Sequence, residues 1–217
     1  LYIAYFGRAA DPEGLDYWQD NGTTTKAFAA NMGSQPEFQS VYGGLSTGAQ
    51  VNQMYQNLFD RGADATGLTY WTQQINLGNL QLAEIANDLI WAATNSGSEN
   101  EDFKALDNKT DAALAYTDAV SASTDAMLPY TGEAAVSSES HTAGYNNGIA
   151  RDFMSNIGSA TAYTEAGITD SISNLHIPLT TTTTTIASGK TYAVNSDLTY
   201  NDALTIQGNG TLIIPTG

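Results

Sequence analysis

The sequence predicts a mainly α N-terminal domain of tandem helical repeats, followed by the start of an all-β domain, a solenoid or a sandwich. Three observations predict it. A motif at residues 1–18 recurs at residues 54–71. Apolar residues at helical spacing, punctuated by capping residues, continue to about residue 128. Beyond His176-Ile-Pro178 the pattern switches to short alternating runs separated by Asn, Asp and Gly. The domains read as 1–128 (tandem helical repeats), 129–177 (a loop and short helices completing the helical region) and 178–217 (first strands of a β domain).

The repeat is the strongest signal. LYIAYFGRAADPEGLDYW and MYQNLFDRGADATGLTYW share Tyr2/Tyr55, Phe6/Phe59, Arg8/Arg61, Ala10/Ala63, Asp11/Asp64, Gly14/Gly67, Leu15/Leu68, Tyr17/Tyr70 and Trp18/Trp71. Tyr2 and Phe6, like Tyr55 and Phe59, are four apart and share a helical face. Arg8 and Arg61 fall at the end of that first helix, where a cation suits the macrodipole. Asp11 and Asp64 are N-caps for a second helix, with Pro12 at its first position. Leu15 and Trp18, and Leu68 and Trp71, are three apart and are expected to face the core. Gly22 and Gly78 end the second helices. Thr23–Thr25 and Asn79 are candidate caps for third helices over Ala27–Met32 and Leu80–Ala93. Ser34-Gln-Pro-Glu37 and Ser98-Glu-Asn-Glu101 read as capping boxes, each followed closely by Phe38 or Phe103.

Each Arg-x-x-Asp pair is either an anion site or a local ion pair fixing a helix–helix corner, and the second is the commoner use of such pairs. Trp18 and Trp71 suit a core role better than sugar stacking, given their spacing with Leu. Trp91 has no clear repeat partner, although Leu89-Ile90-Trp91 reads as a buried stretch.

The pattern Y-x(3)-F-x-R-x-x-D-x-x-G-L-x-Y-W, then a Gly, then S-x-x-E-F, resembles the small helical repeat domain of bacterial S-layer and repeats-in-toxin-type secreted surface proteins. The resemblance covers roughly residues 1–105, and the F-x-R corner is also faintly similar to phycobilisome linker domains. It implies a structural surface-layer fragment located outside the cell, at the cell surface. Its helical region would anchor to lipopolysaccharide O-polysaccharide. Its β region would lead into a self-associating lattice or fibre that depends on calcium. One departure is plain: no Asp/Gly-rich nonapeptide calcium repeat occurs in this stretch.

After the repeats, residues 104–128 read as one helix with Leu106, Ala113, Leu114 and Val120 apolar, stopped by Pro129. Residues 130–145 read as a loop. Ala150–Ile157 and Ala160–Ile168 read as short helices. The threonine run Thr180–Thr185 is a linker or an edge strand. An ice-binding array would need threonine at a fixed repeat over many rungs, which is absent. Strands are expected within Ile186–Val194, Leu198–Tyr200, Ala203–Ile206 and Gly210–Ile214. The chain begins inside an aromatic pattern at Leu1, with no signal peptide in view, and ends just after a strand-like run. It reads as a piece of a longer protein.

Composition narrows the function further. Seven Lys+Arg against 23 Asp+Glu give a net charge of −16 in 217 residues, which excludes nucleic-acid binding through a basic patch. No apolar run reaches the roughly 18 residues of a transmembrane helix. The absence of cysteine removes disulfides, thiolate zinc sites and thiol nucleophiles. The two histidines, His141 and His176, lie in no triad or metal-ligand context, and no phosphate-binding or nucleophile-elbow motif occurs. The expectation is therefore a protein that is not an enzyme. Calcium is the plausible ion, since it takes oxygen ligands, and Asp197, Asn201 and Asp202 form the best local oxygen cluster, in what is otherwise a solvated turn. The alternative to a surface-layer anchor is a secreted adhesin, or the non-catalytic module of an extracellular protein.

Overall fold

A computed structural model describes residues 1–130 and 146–175, with short stretches between 183 and 213. The architecture is mainly helical. Copy one contributes α1 (Tyr2–Phe6), α2 (Pro12–Asp20), α3 (Thr25–Met32) and α4 (Pro36–Tyr42). Copy two contributes α5 (Thr47–Phe59), α6 (Ala65–Asn76), α7 (Leu82–Thr94) and α8 (Glu101–Ala122). Then come α9 (Thr124–Tyr130), α10 (Asn146–Ser155) and α11 (Glu165–Ser173). Four short strands follow: β1 (Thr183–Ile186), β2 (Thr191–Ala193), β3 (Thr205–Gly208) and β4 (Thr211–Ile213). β1 pairs with β3 and β2 with β4, both in parallel. Among the described residues no helix is long and apolar enough to cross a membrane.

The caps explain where the helices begin and end. Asp11 accepts the Gly14 N–H at 2.7 Å, and Asp64 accepts those of Thr66 and Gly67 at 3.0 and 2.9 Å. Thr24 caps α3 through the Ala27 N–H. Gly22 and Gly78 take φ of 55° and 72°, and behind each the chain turns back so that Thr23 N–H bonds Trp18 O and Asn79 N–H bonds Gln74 O. A β-carbon there would be strained, so glycine is the economical choice.

Several local expectations are corrected. Neither S-x-x-E segment is a capping box. Ser34 Oγ donates to Asn31 O instead, and α4 starts from Gln35 with Pro36 in its first turn. Asn100 caps α8 through the Asp102 N–H. The capping box belongs to α7, where Gln81, not Asn79, is the cap and its N–H donates to the Glu84 carboxylate at 2.9 Å. The helix expected over 104–128 breaks at Ser123, whose hydroxyl accepts the Ala126 N–H and starts α9; α9 runs through Pro129 to Tyr130. The last helix begins at Glu165 rather than Ala160, because Gly158 and Thr161 form a tight bridge and Thr164 supplies the cap.

The main core joins both copies. Tyr5, Phe6, Phe28, Phe38, Tyr42, Met54, Tyr55, Leu58 and Phe59 bury together with Leu82, Ile85 and Leu89. The equivalent helices α1 and α5 pack on each other, and α5 also contacts α6, α7 and α8. Tyr42 Oη donates to Ala4 O and Tyr5 Oη to Ala83 O, both at 2.6 Å, so the tyrosines tie elements together without leaving a buried polar group unpaired. A second cluster under α8–α11 holds Tyr116, Val120, Tyr130, Ala150, Ile168 and Leu175 with Ala9 of copy one.

The second helix of each copy lies outside this core. Pro12 is the one buried residue of α2, and α6 has none. Leu15, Trp18, Leu68 and Trp71 are half-buried, and Trp18, Leu68 and Trp71 line the edge of the core rather than filling it. Trp91 is not buried either: Leu89 is, but Trp91 projects into solvent with 69% of its surface exposed. On α8 the buried face is Ala105, Lys109, Ala112, Tyr116 and Val120, so Leu114, expected to be apolar and inside, is exposed.

Candidate functional site

Each copy folds its motif into the same corner. After Phe6 the chain turns at Gly7 (φ 67°), and after Phe59 at Asp60 (φ 57°). The arginine one residue later folds back over the rings of the helix it has left. Arg8 Cζ lies 5.7 Å from the Tyr2 ring centroid and 5.5 Å from that of Phe6; Arg61 Cζ lies 5.3 Å from Tyr55 and 5.9 Å from Phe59. Such placement over a ring face is attractive electrostatically. Each Nη1 donates to the next residue's carbonyl, Ala9 O or Gly62 O, at 2.9 Å.

Each guanidinium also forks onto a distant carboxylate. Arg8 Nε and Nη2 donate to Glu37 at 2.8 Å each, and Arg61 Nε and Nη2 donate to Asp102 at 2.6 Å each. The planar fork matches a carboxylate in two bonds at once. The local partner expected from the Arg-x-x-Asp spacing is secondary: Asp11 Oδ2 stands 3.8 Å from Arg8 Nη1. The reason is that Asp11 and Asp64 already spend their oxygens on helix caps. The backbone N–H of Gly67 in particular holds the Asp64 carboxyl below its ordinary range.

The remaining identities follow from close packing. The indole N–H of Trp71 donates to Tyr55 Oη at 3.1 Å. A β-carbon on Gly14 would sit 2.5 Å from Tyr2 Oη, and one on Gly67 2.9 Å from Tyr55 Oη. The glycines let the tyrosine hydroxyl reach under the second helix. Outside, Tyr17 stands edge-on to Trp18 at 5.0 Å and Tyr70 to Trp71 at 4.8 Å, with Tyr17 59% and Tyr70 51% exposed. Trp18 and Trp71 thus occupy like surroundings.

The copies differ in what covers the corner. Over Arg8, Tyr130 of α9 adds a third ring at 5.4 Å and donates its hydroxyl to Ala9 O at 2.6 Å. Arg151 of α10 donates to Phe6 O and to Glu37 Oε1, and Thr117 of α8 donates to Ala10 O. The Arg8 side chain is 4% exposed; that of Arg61 is 40% exposed. Burial works against the Arg8 charge, and its neighbours Tyr130, Glu37 and Asp11 more than offset that and raise its pKa. Burial lowers the pKa of Arg151, against the pull of Glu37. The hydrogen bonds to Asp102 raise that of Arg61.

Sequence reading missed Glu37 as a salt-bridge partner, and it missed Asp102, Tyr130, Arg151 and Lys109. A signal for the two acids was present: each immediately precedes the phenylalanine, in Glu37-Phe38 and Asp102-Phe103. Lys109 is buried on α8, donates to Met154 O at 3.0 Å, and burial lowers its pKa to about 8. Among the described residues no group of three or more His, Asp or Glu is placed to hold a metal. The cluster Asp197, Asn201 and Asp202 lies outside the described residues, as do His141 and His176.

A domain of unknown function, DUF4214, matches residues 29–98, from the end of α3 to just before α8. The match includes the whole second motif. No curated protein and no solved structure matches the chain.

Proposed function

We propose that this chain belongs to a non-catalytic structural protein of a bacterial surface layer, displayed outside the cell. Its helical region would bind cell-surface polysaccharide, and its C-terminal part would lead into a β-built, self-associating lattice or fibre. The observation that carries the reading is the duplicated corner, Phe6 to Trp18 and Phe59 to Trp71, whose motif resembles that of S-layer helical repeats. The exposed Tyr17 and Tyr70, each backed by a half-buried tryptophan, give two equivalent aromatic faces on one scaffold. A repeating glycan suits such a pair, because engaging the second face is then intramolecular.

For the β part, the pairing of Thr183 with Thr205 and of Thr191 with Thr211 gives steps of 22 (205 − 183) and 20 (211 − 191) residues. Parallel pairs at a near-constant step favour a solenoid over a sandwich, whose sheets are antiparallel. Calcium would serve the lattice, with Asp197, Asn201 and Asp202 as candidate ligands.

Calorimetry with purified surface polysaccharide, with and without calcium, tests the anchoring role. Saturable heat that disappears in the Tyr17→Ala/Tyr70→Ala variant supports it, and no heat in either condition rejects it. The same motif also fits a secreted adhesin or docking module. Electron microscopy of the native assembly separates the two, a two-dimensional lattice favouring the first and isolated molecules the second.

A further inference from the structure

The covered corner of copy one is a template for the open corner of copy two. In copy one, three groups complete the site: the Tyr130 ring on the free face of the guanidinium, the Tyr130 hydroxyl on Ala9 O, and the Arg151 guanidinium bridging Phe6 O and Glu37 Oε1. In copy two the receiving groups are repeated at the same positions: the Arg61 guanidinium, Gly62 O, Phe59 O and Asp102 Oδ1. Among the described residues nothing takes the places of Tyr130 and Arg151 there, and residues 60, 62, 64 and 65 around Arg61 are exposed.

We infer that the Arg61 corner is a docking site for a basic partner polypeptide that presents a tyrosine and an arginine side by side. The tyrosine ring lies on the open face of Arg61, with its hydroxyl donating to Gly62 O. The arginine reaches Asp102 Oδ1 and Phe59 O. Charge favours such a partner: the exposed Asp64 flanks the corner, and the chain carries −16 overall, which draws in a cationic ligand. A lone arginine ion pair would bind any base, whereas the open ring face and the carbonyl beside it ask for an aromatic hydroxyl. The inference stands apart from the polysaccharide reading, which concerns Tyr17 and Tyr70.

The test is chemical-shift mapping on the intact chain with the dipeptide acetyl-Tyr-Arg-amide as probe. Signals of Phe59–Ala65 and Asp102 should move, with a dissociation constant on the order of 1 mM, as expected of a small fragment. Signals of Gly7–Asp11 should stay, because that corner is filled. Arg61→Ala should abolish the shifts, and acetyl-Phe-Lys-amide, lacking the hydroxyl and the planar fork, should bind several-fold more weakly. Equal binding of the two dipeptides, shifts spread over the surface, or no shifts would overturn the proposal. So would sedimentation showing a dimer that Arg61→Ala dissolves, which would give the corner to a second copy of this chain.

Discussion

One arginine corner occurs twice in this molecule, once sealed and once open. Around Arg8 and around Arg61 the ring pair, the carboxylate fork and the bond to the next carbonyl are the same within a few tenths of an ångström. What differs is burial, because α8, α9 and α10 close over Arg8 and leave Arg61 at the surface. The comparison teaches that a motif fixes a local geometry but not its energetic weight. An ion pair in water is worth little, since solvent screens it and the side chains lose freedom. The same pair out of water is costly to break from one side, because the remaining charge is left unsolvated.

The largest expected effect follows directly. Arg8→Ala should cost about 3–5 kcal/mol, since it leaves the buried Glu37 with Arg151 as its one remaining ion-pair partner among the described residues and empties the space between three rings. Arg61→Ala should cost about 1 kcal/mol or less. Urea unfolding of the two variants measures both, and equal losses would break the comparison.

Lys109 sharpens it from another side. Copy two turns its corner at Asp60, whose charge offsets part of the effect of burial on the Lys109 ammonium, while copy one turns at Gly7. Folded Lys109 loses its proton near pH 8 and the unfolded chain near 10.5, so between those values the unfolded state holds more protons and stability rises with pH. The shift corresponds to about 3 kcal/mol across the window. The opposite sign holds for the tyrosines. Burial pushes Tyr2 and Tyr130 up to about 12 from 10.0, so above pH 10 the unfolded chain ionises first and stability falls. Thermal unfolding from pH 7 to 11.5 should therefore show a maximum near pH 10. Lys109→Met should flatten the rising limb and leave the falling limb in place.

The smallest effect concerns the paired glycines. Gly14→Ala meets Tyr2 Oη at 2.5 Å and should cost about 1–2 kcal/mol, whereas Gly67→Ala meets Tyr55 Oη at 2.9 Å and should cost less, because its neighbour needs to move less. Circular-dichroism melts of both measure the difference, and Tyr2→Phe on Gly14→Ala should recover only part of the loss, because the added carbon also meets Asp11 Oδ1 at 2.7 Å and Oδ2 at 2.9 Å.

Much of this molecule is legible in its sequence alone. The repeat is written in Tyr2, Phe6, Arg8, Asp11, Gly14 and Trp18 and their counterparts 53 positions on. The caps at Asp11, Asp64 and Thr24 and the stops at Gly22 and Gly78 are where the residues say. These are local matters, since a cap acts within three residues and helical periodicity within one or two turns. Tertiary structure alone decided that Arg8 pairs with Glu37, 29 residues away, and Arg61 with Asp102, 41 away. It also decided that Lys109 lies inside, that Trp91 lies outside, and that Tyr130 seals one corner while its twin stays open. Partner choice and burial depend on which elements pack together, and helical spacing carries no record of a neighbour that arrives from 122 residues further along the chain.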